Sequence, residues 1–83
     1  MKGIVYEINS AKGLVAVLTK DAEFSVFGLT GGEPIKKGDE VHWENDIRLG
    51  PVMLINISQG EKYEVCFRNH WVSKSQLKKE LQL

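Results

Sequence analysis

Few residues in this chain combine the types and spacing that chemistry needs. Cys66 and His70 stand four apart, and His42 is the only other histidine in 83 residues that contain one cysteine. A structural zinc site takes about four nitrogen or sulfur ligands at recognisable spacings, so no metal site is predicted. Cys66 lies inside a strand pattern and reads as a small buried hydrophobe. Gly31-Gly32 lacks the Gly-Lys-Ser/Thr ending and the following helix start of a phosphate-binding loop, and reads as a connection. The sequence sets out no nucleophile, base and orienting group. No catalytic residue is assigned, no cofactor is expected, and the chain is not read as an enzyme.

The side chains suited to binding are cationic. Residues 60–83 carry Lys62, Arg68, Lys74, Lys78 and Lys79 against Glu61, Glu64 and Glu80. Arg68, His70, Trp71, Lys74 and Lys78 can form a basic, partly aromatic strip for a phosphate backbone. The competing reading is a solvated lysine face on an amphipathic helix. Asn69-His70-Trp71 reads as the turn before that helix, with Trp71 anchored in the core and His70 at the surface. Over the whole chain 11 basic and 11 acidic residues cancel, so net charge gives no long-range pull toward nucleic acid or membrane. The lone cysteine excludes an internal disulfide and fits a reducing, cytoplasmic setting. No run has the length of a membrane span or the character of a signal segment, so no membrane association is expected.

These residues must be positioned by strands. The organising stretch is Lys12 to Leu18. Val15 and Val17 point one way and Leu14, Ala16 and Leu18 the other, so both faces are apolar and both need cover. Gly3 to Ile8 is a first strand, Glu23 to Phe27 a third after the Asp21-Ala22 turn, Glu40 to Glu44 a fourth and Val52 to Ser58 a fifth. Residues 28–38 and 45–51 read as loops. Lys62 to Phe67 can add a sixth strand. A helix is predicted from Ser73, with Gln76 completing a capping box, Val72 stapled to Leu77, and Leu77 and Leu81 on one face. Five short strands with turn signals between them suggest a small closed barrel or sandwich; so short a helix is marginal in water, and its leucines must dock on that body.

Residues 1–58 resemble the cold-shock domain. Lys2-Gly3-Ile4-Val5, Asn9 and Lys12-Gly13 are similar to its opening K-G-x-V-x-x-x-N-x-x-K-G. Val26-Phe27, Gly38-Asp39-Glu40-Val41-His42-Trp43, and Gly50-Pro51 with Asn56-Ile57 follow its later motifs in order. The resemblance implies a small five-stranded OB-type barrel over 1–58; residues 59–83 lie outside it, and their strand and short helix, read from the pattern above, are expected to pack on the barrel as one compact, mainly β domain. It also implies single-stranded DNA or RNA as partner, held by aromatics on the first three strands. At those positions the chain has Glu7, Ile8, Leu14, Ala16 and Leu29, and Phe27 alone keeps a ring. Each lost stacking platform removes about 1–3 kcal/mol per base.

Two readings follow. The first is a divergent nucleic-acid-binding module using Lys2, Lys12, Phe27, Arg68, His70, Trp71, Lys74 and Lys78. The second is a protein-interaction or self-association module that meets a partner, or a second copy in a homodimer, through Ile8, Leu14, Ala16 and Leu29. The same aliphatic face can instead be covered by Trp71, Leu77 and Leu81 from the chain's own end. The expected core is Val5, Val15, Val17, Val26, Val41, Leu54 and Ile57.

Overall fold

A computed structural model of the chain describes residues 1–20, 22–44 and 48–83. Asp21 in the predicted second turn and residues 45–47 in the predicted fourth-to-fifth-strand loop lie outside the described residues. The strands are β1 (Lys2–Asn9), β2 (Leu14–Thr19), β3 (Phe24–Leu29), β4 (Glu40–Trp43), β5 (Gly50–Asn56) and β6 (Glu61–Val72). They close into an antiparallel barrel in the order β1-β2-β3-β6-β5-β4. The mainly β class, the closed barrel and the short C-terminal helix agree with the expectation, and the fold is consistent with a small OB-like barrel. The sixth strand is a stave of that barrel, seated between β3 and β5.

Two apolar clusters form because β2 and β3 are apolar on both faces. Val5, Val15, Val17, Phe27, Val41, Trp43, Leu54, Val65 and Phe67 fill the barrel. Leu14, Ala16, Phe24 and Val26 point outward and meet Val72, Leu77 and Leu81. The chain after β6 makes a 3-10 turn at Lys74–Gln76 and then the α1 helix, Leu77–Glu80. Val72 and Leu77 share the outer cluster as the predicted staple requires. The capping box does not form: Ser73 Oγ donates to Gln76 Oε1 at 3.2 Å and leaves the main-chain N–H groups uncapped. The helix end is tied down otherwise. Asn9 Nδ2 donates to the Leu81 carbonyl at 2.7 Å, linking the β1–β2 turn to the C-terminus.

Six side chains sit on the opposite side from the one expected, and strand parity, with one bulge, accounts for them. Phe27 pairs across from Val15, which faces the barrel interior, so its ring also faces inward and is fully buried. Val26 consequently belongs to the outer cluster and not the barrel core. Cys66 lies between inward Val65 and Phe67, and is exposed. Asn69-His70-Trp71 is not a turn, because β6 runs on to Val72 alongside β3. Register shifts where Phe24 opposes Val72 and Val26 opposes Asn69, which sets two β6 residues against Ser25. Through this bulge His70 turns inward and is buried, while Trp71 turns out with 60% of its surface exposed and φ at +54°.

His70 is a buried tie. Its ring stacks on Phe67 at 4.9 Å, Nδ1 lies 2.8 Å from Ser25 Oγ, and Nε2 lies 2.9 Å from the Arg48 carbonyl. A carbonyl only accepts, so Nε2 carries hydrogen; in the neutral ring Ser25 then donates to Nδ1. The sixth misplaced side chain, Ile57, is half exposed because alternation puts Asn56 inside. Asn56 Nδ2 donates to Asp39 Oδ2 at 3.0 Å, and Gln59 Nε2 and the Lys36 N–H donate to the same carboxylate. Burial pushes the Asp39 carboxyl up, but the bonds from Asn56, Lys36 and Gln59 outweigh it and hold it below the usual aspartate range. Burial also pushes the Tyr63 hydroxyl up, and that hydroxyl donates to the Pro34 carbonyl at 2.8 Å. This network fastens the β3–β4 loop to the end of β5.

Candidate protein interface

β5 repeats the two-faced pattern of β2. Leu54 and Asn56 are buried, whereas Met53, Ile55 and the following Ile57 point outward with 48%, 39% and 50% of their surface exposed. Nothing in the described chain covers that outer column. Across the sheet Lys2 opposes His42, His42 opposes Ile55, and Ile55 opposes Lys62, so one row through Ile55 carries basic groups on both sides. The next row places Glu64 beside Met53, and on the other side Glu40 lies between Ile4 and Ile57. Ile4 is 45% exposed and adds a fourth aliphatic to the surface.

A shallow groove of about 360 Å³ runs along this column, with Pro51, Met53 and Ile55 as apolar lining and His42, Arg48 and Lys62 at its margins. Arg48 is held there through its main chain by His70. Among the described residues neither Arg48 nor Lys62 forms a salt bridge; Lys2 reaches Glu40 only at 3.9 Å. Four aliphatics in one register-matched patch, ringed by mixed charge, are the composition of a macromolecular contact surface.

The residues assigned from sequence are dispersed by the fold. Leu14 and Ala16 lie beneath Leu77 and Leu81, so the helix occupies the face that the resemblance gives to nucleic acid. Val72, and not Trp71, completes that cover. Ile8 and Leu29 are half buried at an open end of the barrel, packed on its interior cluster. Phe27 has no exposed surface, and His70 is committed to Ser25 and Arg48. Lys12 sits in the β1–β2 turn, whereas Lys74 and Lys78 flank a separate groove with Tyr6 and Glu7. Arg68 and Trp71 remain exposed on β6, and Lys2 lies in the Ile55 row.

Met53, Ile55, Ile4, His42, Arg48 and Lys62 were not singled out by the sequence reading as a site. A signal for the first two was available. Val52 to Ile57 is apolar at both parities except Asn56, the property that marked the β2 strand as needing a second cover. Among the described residues, no three His, Cys, Asp or Glu side chains assemble into a metal-binding group, and no helix is long and apolar enough to cross a membrane. No protein-family model, curated protein or solved structure matches the chain.

Proposed function

We propose that the protein is a non-enzymatic interaction module that binds another protein through the outer face of β5. The observation that carries this reading is the uncovered column of Met53, Ile55 and Ile57, set beside β2, whose equally apolar outer face the chain covers with its own helix. Full burial of such a side chain is worth about 1.5–3 kcal/mol. With roughly half of each surface still exposed, the four aliphatics hold about 3–6 kcal/mol of burial in reserve. A different protein suits the face better than a second copy. A two-fold axis through Ile55 along β5 sets Lys62 against His42 and Lys2, and one across β5 sets Lys62 against itself. Both place basic groups together in the central row.

A double substitution, Met53→Ser with Ile55→Ser, tests the reading. Both positions are exposed, so the variant keeps its fold and melts within a few degrees of the parent. In extracts of its native cells the parent elutes in a complex with another protein, and the variant elutes as the free chain. A parent that elutes free, or a variant retained in the same complex, refutes the proposal.

A second reading rests on Trp71. A tryptophan with 60% of its surface in solvent and a left-handed backbone gains little packing for the strain it carries. With Arg68 on the same strand it is suited to stack on a base and pair with a phosphate. This keeps single-stranded DNA or RNA as the alternative partner. An oligonucleotide titration whose shifts centre on Arg68 and Trp71 supports it.

A further inference from the structure

Apart from the β5 face, one end of the barrel is open. Between the β1–β2 turn and the β3–β4 loop lies a cavity of about 560 Å³. Small-molecule sites occupy about 300–1,000 Å³, and barrel mouths are a recurrent place for them. The floor is aliphatic: Ile8, Leu29 and Ile35 are half buried and rest on the interior cluster. The rim carries Glu7, Glu33 and Lys37.

These charges are not equivalent. Lys37 Nζ lies 2.8 Å from Glu7 Oε1, so that pair neutralises itself. The Glu33 carboxylate accepts hydrogen bonds from the Thr30 hydroxyl and, at 2.8 Å, from the Gly31 N–H. The Thr30 bond in particular holds the carboxyl below the usual glutamate range, so it is ionised near neutral pH. Among the described residues no cation pairs with it. Beside it a Cβ at Gly31 or Gly32 would meet nothing within 4 Å, so the wall on that side is open backbone.

We propose that this barrel mouth binds a small alkylammonium, its aliphatic chain on Ile8, Leu29 and Ile35 and its ammonium against the Glu33 carboxylate. Two features select this chemistry. The free rim charge is negative, because Lys37 is taken by Glu7, so an anionic head group is repelled. The floor has no aromatic ring, so it offers no cation–π cage for a quaternary ammonium, whereas a primary ammonium can donate directly to Glu33. The site shares no residue with the β5 face and does not depend on the partner proposed there.

The test is an NMR amide-shift titration of the full chain with hexylammonium, hexanol and hexanoate at matched ionic strength. Hexylammonium should produce saturable shifts at Gly13, Gly31 and Gly32. Hexanol should bind at least about tenfold more weakly, as expected when a hydrogen bond to a charged group is lost. Glu33→Gln, with its spectrum outside the cavity unchanged, should weaken hexylammonium by about the same factor. Hexanoate binding as tightly as hexylammonium overturns the proposal, as do shifts that fail to saturate or fall away from the cavity. Unchanged affinity in Glu33→Gln also overturns it. The comparison of head groups uses the unaltered chain, so it decides even if the substitution disturbs the loop.

Discussion

Leu81→Ala probes whether the C-terminal helix is the structural cover of β2. Leu81 is fully buried among Leu14, Ala16, Val72 and Leu77. Truncating a leucine in such a site costs about 2–5 kcal/mol, the spread reflecting how far the surroundings collapse into the cavity. A domain of this size is stabilised by about 5–15 kcal/mol in all, so the loss is a large fraction. At about 4–8 °C per kcal/mol, the melting temperature should fall by at least about 8 °C. The Asn9 bond goes to the Leu81 main-chain carbonyl and survives the substitution, so the change reads side-chain burial. Ile55→Ala, on the uncovered face, should shift stability by no more than about 0.5 kcal/mol. Thermal and urea unfolding of both variants measure the contrast. A Leu81→Ala effect below about 1 kcal/mol, or one equal to that of Ile55→Ala, refutes the two-faced account.

Three further outcomes follow from the same structure. Glycine at position 71 should be more stable than alanine there by about 1 kcal/mol, because both remove the ring and only glycine relieves the left-handed backbone at φ +54°; chemical denaturation of Trp71→Gly and Trp71→Ala shows whether the order holds. Gly3→Ala should cost about 1–3 kcal/mol by overpacking, since its Cβ would meet Val17 Cγ1 and lie 2.6 Å from the Leu18 carbonyl oxygen, and a melting curve like the parent's would count against the β1–β2 packing. Asp39 has a lowered folded pKa, so its contribution is complete above the unfolded value of about 3.9 and is lost as pH falls through the folded one. Asp39→Asn should therefore be less stable near neutral pH and lose less on acidification, and parallel stability–pH curves for the two proteins would contradict that.

Much of the fold is legible in the sequence because alternation and turn residues act locally. All six strands, the Val72–Leu77 staple and the docking of Leu77 and Leu81 follow from pattern alone. Where expectation and structure part, a non-local choice decided. The parity of Phe27 was fixed by its pairing with Val15. The bulge that buries His70 and exposes Trp71 arises only when β6 aligns with β3. The placement of Asn56 inside, with Ile57 outside, depends on a carboxylate seventeen residues upstream that can satisfy a buried amide. The candidate interface was missed for a different reason. Val52–Ile57 is apolar on both faces as Leu14–Leu18 is, but the chain covers the second face of one strand and leaves that of the other exposed, a difference that alternation alone does not encode.

The most direct test of that interface places a photo-crosslinking amino acid at position 55 in the protein's native cells, with an exposed control at Ser10. The account predicts crosslinks to a different polypeptide from position 55 and none from position 10. Crosslinks from position 55 to nucleic acid, to the chain itself, or to nothing would contradict it.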